Sequence, residues 1–260
     1  MSHSARQRVF LTGASSGIGE ALARHYAAQG AVLGLVARRA DKLAALVESL
    51  PGEGHMALSA DVADLPAMKA AADAFIARHG LPDVVIANAG ISVGVLTEHA
   101  EDLQVFDAVL RTNVLGLFAT FHPFVAAMRE RGVGRLVGIA SVAGVRGLPG
   151  GSAYSASKAA AVKYLEALRV EMRASGVQVV TIAPGYIRTP LTAVNPYKMP
   201  FILDADVAAR RFARAIERGT SYTVIPWQMG IVARLLAIAP NWLFDRVFAK
   251  AKHKPRKLPT

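Results

Sequence analysis

Tyr154 and Lys158, four residues apart, have the residue types and the spacing of an acid–base pair. A tyrosine phenol titrates near pH ~10, so it needs help to exchange a proton at neutral pH. A lysine at the i+4 position of a helix lies on the same face, and its ammonium would lower the pKa of the phenol. Such a phenol could protonate a developing alkoxide or deprotonate an alcohol. The same spacing is also typical of a surface helix with a solvated lysine, so the rest of the chain must decide.

A serine stands where it could assist this pair. Ser141 follows the apolar run 136–140, which predicts a buried strand. A hydroxyl at the end of that strand could hydrogen-bond the same substrate oxygen as the phenol. The glycine-rich segment 144–151 predicts a loop that leads into the helix carrying Tyr154 and Lys158.

A glycine-rich turn follows the first predicted strand, residues 9–11. Three glycines at this spacing let the backbone turn sharply and approach a phosphate, whose charge the amino end of the next helix favours. An ordinary tight connection is the alternative, but a position between a strand and an amphipathic helix favours nucleotide binding. The candidate cofactor-binding residues of this turn are Gly13, Ser15, Ser16, Gly17, Ile18 and Gly19.

The end of the second predicted strand, residues 31–36, indicates which dinucleotide binds. An NAD-binding unit usually has an acidic residue here, against the ribose 2′-hydroxyl. This chain has Arg38 and Arg39 instead. An arginine can hold a 2′-phosphate bidentately, whereas an acid would repel it. We therefore expect NADP(H), the alternative being that both arginines only face water at a strand end.

The remaining pattern predicts an α/β fold. Strands alternate with amphipathic helices, which indicates a single-domain, Rossmann-type, doubly wound parallel sheet with helices on both faces and its ligand beyond the carboxyl ends of the strands. A third strand ends at Asp61-Val62, where the carboxylate could accept the adenine amino group or cap a helix. A fourth leads into Asn88-Ala89-Gly90. Asn113 lies within the apolar seam of a long helical segment, 103–130, and therefore needs polar partners.

The composition limits the classes of protein and the kinds of site that we expect. The chain of 260 residues is 53% hydrophobic and 19% charged, which describes a globular protein with a large core. It has no cysteine, and its seven histidines show no metal-ligand spacing, so we expect neither disulfides nor a metal site. Neither a signal peptide nor a membrane-spanning run is found, which predicts a cytoplasmic protein, with peripheral contact at the inner membrane surface as a further option.

The carboxyl-terminal part has a different character. We divide the chain into a dinucleotide-binding and catalytic domain, 1–226, and an apolar helical extension with a basic tail, 227–260. The extension predicts either a flap packed on the substrate pocket or a partner subunit, or an interfacial anchor whose tail pairs with anionic lipid. The tail could also be solvated and frayed, and no nucleic-acid motif accompanies it. Its basic residues are Arg246, Lys250, Lys252, Lys254, Arg256 and Lys257.

These motifs together resemble the short-chain dehydrogenase/reductase family over residues 9–225. Thr12-Gly13 with Gly17 and Gly19 is similar to the family's cofactor turn, and Asp61-Val62 and Asn88-Ala89-Gly90 to its adenine and sheet-stabilising motifs. The resemblance implies a catalytic tetrad of Asn113, Ser141, Tyr154 and Lys158. It also implies a nicotinamide-side loop formed by Pro184, Gly185, Ile187 and Thr189.

The resemblance implies roles for these residues. Tyr154 would be the general acid/base, and Lys158 would lower its pKa and bind the nicotinamide ribose; both residues also belong to the expected cofactor-binding set. Ser141 would polarise the carbonyl, and Asn113 would hold a water linked to Lys158. We expect an NADP(H)-dependent oxidoreductase that interconverts a carbonyl compound and its alcohol. A non-catalytic NADP-sensing protein and a membrane-peripheral binding protein on the same fold are the alternatives.

The substrate and the assembly are less constrained. The segment 186–203 predicts an irregular lid rich in apolar residues, which favours a hydrophobic carbonyl substrate. Family resemblance implies a homodimer or homotetramer built through the helices around Asn113 and Tyr154.

Overall fold

A computed structural model describes residues 6–256; residues 1–5 and 257–260, including Lys257 of the basic tail, lie outside the described part. Seven parallel strands form the main sheet in the order β3-β2-β1-β4-β5-β6-β9. The strands are β1 Arg8–Thr12, β2 Val32–Ala37, β3 Met56–Ser59, β4 Val84–Ala87, β5 Gly134–Ile139, β6 Val177–Pro184 and β9 Tyr222–Ile225, and a separate pair comprises β7 Ile187–Arg188 and β8 Leu203–Asp204.

Helices cover both faces of the sheet and bury it in two apolar clusters. The central strands are apolar on both faces because they are sandwiched between helices, as expected for a parallel sheet. The helices are α1 Gly17–Ala28, α2 Ala40–Ser49, α3 Leu65–His79, α4 Asp102–Leu110, α5 Gly116–Arg131, α6 Ser152–Glu171, α7 Pro190–Ala193, α8 Ala205–Glu217, α9 Trp227–Ile238 and α10 Asn241–Phe248. This architecture confirms the predicted Rossmann-type fold.

The strand order reverses between β1 and β4, because β2 and β3 lie on one side of β1 and the later strands on the other. A crevice opens at such a reversal, beyond the carboxyl ends of the strands. Thr12 ends β1 and Asn88 follows β4, so the glycine-rich turn and the Asn-Ala-Gly segment meet at this crevice.

Three predicted elements differ from those observed. The third strand, β3, ends at Ser59 and not at Asp61-Val62. The long segment 103–130 is not one helix, because a π-helical turn, Arg111–Leu115, separates α4 from α5. The segment 186–203 is not wholly irregular, since it contains β7 and α7 and ends at β8. Within residues 6–256, no helix is both long and apolar enough to cross a bilayer.

Candidate active site

A cleft of about 750 Å³ lies at the carboxyl edge of the sheet and gathers most of the candidate residues. Its lining includes Ser141, Tyr154 and Lys158 from the catalytic set. Nearly all predicted cofactor-binding residues also line it: Gly13, Ser15, Ser16, Gly17, Ile18, Arg38, Arg39, Asp61, Val62, Asn88, Ala89, Gly90, Pro184, Gly185, Ile187 and Thr189. Gly19 and Asn113 are not part of the lining.

The glycine-rich turn is held against the strand beside it. The side chain of Asn88 donates hydrogen bonds to the carbonyl oxygens of Thr12 (3.0 Å) and Gly13 (3.2 Å). The hydroxyl of Thr12 in turn accepts from the backbone N–H groups of Asn88 (3.2 Å) and Ala89 (3.3 Å). These bonds fix the turn at the point where β1 and β4 diverge.

The turn fits a dinucleotide. Gly13 and Gly17 have positive φ angles of 68° and 60°, which glycine adopts readily. A Cβ atom at Gly13 would lie 2.7 Å from Ala89 Cα, so the turn needs glycine there. In the described chain, no side chain caps the amino end of α1, where the N-cap residue is Ser16. Its first N–H groups are therefore free to bind an anion such as a pyrophosphate.

Gly19 has a packing role. A Cβ atom there would overlap with the carbonyl oxygen of Gly13 and lie 2.7 Å from Asn88 Nδ2. Gly19 therefore allows α1 to approach the turn closely, and it does not face the cleft.

Two arginines stand at the cofactor end of the cleft. Arg39 donates to the hydroxyls of Ser15 (3.0 Å) and Ser16 (3.2 Å), so its guanidinium lies over the glycine-rich turn. Arg38 is paired with Asp61 at 3.7 Å. Asp61 also accepts from the N–H of Ala63 (2.9 Å), whereas the residue that caps α3 is Asp64. The alternative that Asp61 caps a helix was therefore wrong, because the cap of α3 lies three residues further along the chain.

At the other end of the cleft, Lys158 is buried and donates a hydrogen bond of 2.8 Å to Ile139 O, while its Nζ lies 5.8 Å from the centroid of the Tyr154 ring. Burial lowers the pKa of Lys158 to about 8. Ser141 lies two residues beyond Ile139, where β5 ends, and its hydroxyl accepts from the N–H of Ala143 (3.1 Å), which holds the hydroxyl in place.

Burial raises the pKa of Tyr154, and the hydroxyl of Ser141, hydrogen-bonded to the phenol, acts in the opposite direction. The pKa shift expected from the spacing of Tyr154 and Lys158 is therefore reversed in this structure. The reason is that desolvation outweighs the favourable contacts and that Lys158 is turned to a backbone carbonyl. The phenol is protonated at neutral pH and can act as an acid.

Asn113 lies in the π-helical turn and has the polar partners that its apolar setting required. Its Oδ1 accepts from Ile91 N (2.9 Å), and its Nδ2 donates to Ile91 O (3.0 Å) and to Ser157 Oγ (2.9 Å). It is therefore a link between α4–α5, the segment after Asn88 and α6, one layer behind the cleft.

Sequence reasoning missed two kinds of lining residue. Ile91, Ser92, Thr112 and Thr192 line the cleft but carry no motif of their own. Leu191 and Val194 also line it, and they belong to the predicted apolar lid, 186–203. Lys254 and Pro255 come from the basic tail, which returns to the cleft. Nothing in the local sequence signals that return.

The extension also contacts the site region. Arg146, in the loop between β5 and α6, donates to the carbonyl oxygens of Leu236 (3.3 Å) and Ala239 (2.8 Å) and to Asn241 Oδ1 (3.0 Å). Its guanidinium lies 4.3 Å from the centroid of the Phe244 ring. One arginine thus ties α9 and α10 to the loop that precedes Tyr154.

Comparison with known proteins agrees with this geometry. A family model described as short chain dehydrogenase matches residues 7–199. An uncharacterized oxidoreductase of Myxococcus xanthus is 36% identical over 250 residues, covering 94% of this chain and 97% of that protein. An 11-beta-hydroxysteroid dehydrogenase-like 2 protein of Arabidopsis thaliana is 34% identical over 252 residues, covering 92% and 81%.

A solved structure extends the comparison. The 3-ketoacyl-(acyl-carrier-protein) reductase from Brucella melitensis, complexed with NADH, superposes with a TM-score of 0.78 at 25% identity, covering 84% of this chain and 96% of that one. The family model, the relatives and the fold agree, and the chain belongs to the short-chain dehydrogenase/reductase family of oxidoreductases.

Proposed function

We propose that the protein is an NADP(H)-dependent oxidoreductase that interconverts a carbonyl compound and its alcohol, with Tyr154 as the general acid/base. The observation that carries the proposal is the cleft itself: a glycine-rich turn with two arginines at one end, and Ser141, Tyr154 and Lys158 at the other. The non-catalytic alternative, an NADP sensor, is less favoured because the acid–base residues and the serine share one cleft.

The cofactor would be held along the whole cleft. The pyrophosphate would bind the turn from Gly13 to Gly17 and the amino end of α1. Arg39 and Arg38 would bind a 2′-phosphate, Asp61 and Val62 would contact the adenine, and Asn88, Ala89 and Gly90 would flank the ribose. The nicotinamide side would lie against Pro184, Gly185, Ile187 and Thr189. When bound, the cofactor supplies or accepts the hydride at the carbonyl carbon.

The protein's own residues handle the proton. In the reductive direction the phenol of Tyr154 donates its proton to the carbonyl oxygen, and the hydroxyl of Ser141 donates a hydrogen bond to the same oxygen. Lys158 would hold the ribose of the cofactor, and its ammonium can return a proton to Tyr154. The raised pKa of Tyr154 suits this direction, because the phenol carries its proton at neutral pH.

The lining of the substrate end favours an apolar substrate body. Ile91, Leu191, Val194 and Pro255 are apolar residues of the cleft lining that we assign to this end. We propose that the extension, 227–248, is the cap of this end, because Arg146 ties it to the loop before α6.

We also propose a homo-oligomer. The helices around Asn113 and Tyr154 leave large apolar side chains exposed, including Leu115, Phe118 and Val170. A second copy covering this face would bury them. Sedimentation velocity should give a dimer or tetramer, and Phe118→Asp should shift it toward the monomer.

A peripheral membrane contact is a second proposal about the extension. Basic residues are exposed on the same segment, among them Arg234, Arg246 and Lys250. Its helices also expose a set of large apolar side chains: Trp227, Ile231, Leu235, Ile238, Trp242 and Val247. Such a face can enter the headgroup boundary of an anionic membrane. Co-sedimentation with vesicles containing phosphatidylglycerol tests it, and an unchanged soluble fraction contradicts it.

The enzyme proposal is tested by NADPH oxidation over a panel of aldehydes, ketones and ketoacyl thioesters. We expect turnover with a subset of the apolar members and a preference for NADPH over NADH. Tight NADPH binding without turnover on any member would favour the sensor instead.

A further inference from the structure

The basic tail forms part of the catalytic cleft. Lys254 and Pro255 line the same cleft as Ser92, Tyr154 and Leu191. The tail reaches this position after α10, by crossing the segment 93–95 and the glycine-rich loop before α6. It therefore borders the substrate end, opposite Arg38 and Arg39.

The tail is anchored on the carboxyl side of Lys254. Arg256 makes a two-pronged ion pair with Asp102 (Nε–Oδ2 2.8 Å, Nη2–Oδ1 3.1 Å) and also contacts Glu101 at 2.9 Å. The Asp102 side chain is only 8% exposed and accepts a further bond from Leu96 N (2.8 Å). A nearly buried carboxylate is costly without a cation beside it, so the ion pair with Arg256 stabilises this position of the tail.

Backbone packing holds the rest of the tail. Gly94 N donates to the carbonyl oxygen of Pro255 (2.8 Å). A Cβ atom at Gly94 would overlap with the carbonyl oxygen of Lys254, and one at Gly150 would lie 2.7 Å from His253 Cβ. The backbone on both sides of Lys254 thus packs directly against Gly94 and Gly150, and a larger residue at either position would clash with it.

The ammonium of Lys254 has spare hydrogen-bonding capacity. Its Nζ donates to Leu191 O (3.1 Å), which uses one of three donors. Among residues 6–256, no carboxylate forms an ion pair with it, and burial lowers its pKa to about 8. In the part of the chain that the structure describes, Asp61 is the one acid that lines the cleft, and it is paired with Arg38 at the far end.

The substrate end therefore combines apolar walls with a half-buried cation that lacks a counter-ion. We propose that Lys254 binds an anionic group on the carbonyl substrate, so that the enzyme prefers amphiphilic oxo compounds with an apolar body and a negatively charged terminus. This inference rests on the proposed function and specifies its substrate class. An anion in this partly desolvated place gains a charge-assisted hydrogen bond that a neutral group cannot make.

The test compares ω-oxoalkanoates of five to ten carbons with their methyl esters, in which the negative charge is removed and one methyl group is added. We expect the wild type to reduce the acids with a kcat/KM about 10-fold or more above that of the esters, as one charge-assisted bond implies. Lys254→Gln should abolish the preference and Lys254→Arg should keep it. Lys252→Gln is the matched control, because Lys252 is exposed on the same tail and does not line the cleft.

Displacing the tail with Lys254 intact provides a second variant. Gly94→Ala should push the Lys254 backbone away and remove the acid preference as Lys254→Gln does. Equal acid-to-ester ratios in the wild type and Lys254→Gln, an effect of Lys254→Gln confined to the KM of NADPH, or an acid preference that survives Gly94→Ala would each overturn the proposal.

Binding without turnover separates this inference from the enzyme proposal. Nonanedioate has no reducible carbonyl, so its affinity, measured by titration calorimetry in the presence of NADP⁺, does not depend on catalysis. We expect Lys254→Gln to weaken nonanedioate about 10-fold and to leave dimethyl nonanedioate unchanged. If no oxo compound is reduced but this difference is found, the anion site stands and the enzyme proposal fails; if the difference is absent, the anion site fails.

Discussion

Lys158 donates a 2.8 Å hydrogen bond to the carbonyl oxygen of Ile139, the last residue of β5. A buried ammonium held by a single backbone carbonyl and no carboxylate is costly to keep charged, which is why its pKa is lowered to about 8. Because the ammonium donates to one carbonyl oxygen, its other N–H groups remain available for a ribose hydroxyl and for proton transfer.

This relationship predicts a pH-dependent stability. The pKa of Lys158 is about 8 folded and 10.5 unfolded, so the unfolded state binds more protons between these values and the free energy of unfolding rises with pH. The gain is lost as the pH falls through 8. Relative to Lys158→Met, the wild type should become more stable by about 2 kcal/mol between pH 7 and pH 9.5 in urea unfolding. A difference that does not change with pH would show that Lys158 is not desolvated.

Asn113 should be a structural requirement. Asn113→Leu leaves the N–H and the carbonyl group of Ile91 without partners, which should cost about 3 kcal/mol of unfolding free energy. Ser157→Ala removes one of the three bonds of Asn113, together with the local bond from the Ser157 hydroxyl to Tyr154 O (2.7 Å), and should cost about 1 kcal/mol. Equal losses in the two variants would contradict the role of Asn113 as the link to the segment after Asn88.

The two arginines should select the cofactor. Arg38→Gln and Arg39→Gln should each lower the kcat/KM for NADPH by about 10-fold and leave that for NADH nearly unchanged, because only NADPH carries the 2′-phosphate. Arg24→Gln, on α1 and outside the cleft lining, is the control. A ratio of the two constants that does not move in either variant would mean that another group reads the ribose.

Arg146 should hold the extension in place. Both tryptophans of the chain, Trp227 and Trp242, lie in the extension, so tryptophan fluorescence reports on it alone. In Arg146→Ala, the thermal transition seen by fluorescence should come several degrees below that seen by far-ultraviolet circular dichroism, and the substrate KM should rise. Arg234→Ala, at an exposed position of α9, should leave the two transitions together. Coincident transitions in Arg146→Ala would contradict the anchoring role.

The fold followed from local pattern because a parallel sheet needs apolar strands separated by amphipathic helices. The fourth predicted strand leads into Asn88, and β4, Val84–Ala87, ends directly before that residue. The break at Arg111–Leu115 was not predicted from the pattern, and it contains Asn113, whose partners Ile91 and Ser157 are 22 and 44 residues away in the chain. Hydrophobic periodicity predicts which face of a helix is buried, but it does not predict hydrogen bonds between residues that are distant in the chain.

The site residues likewise fall into those that a sequence motif predicts and those that depend on tertiary contacts. Residues that carry a motif, such as Gly13 and Tyr154, were found because their types and spacing are tied to their chemistry. The sign of the Tyr154 pKa shift was wrong, because spacing indicates a neighbouring charge but not how far the phenol is desolvated. The place of Lys254 could not be found at all, since it depends on contacts such as that between Arg256 and Asp102, more than 150 residues apart in the chain.

The central claim is that the phenol of Tyr154 carries the proton, and Tyr154→Phe tests it most directly. The phenyl ring keeps the packing and loses only the hydroxyl. We expect kcat for NADPH-dependent carbonyl reduction to fall at least about 1,000-fold, while the Kd of NADPH, measured by fluorescence titration, stays within about 2-fold because the cofactor contacts lie elsewhere along the cleft. A variant that turns over at the wild-type rate would contradict the account.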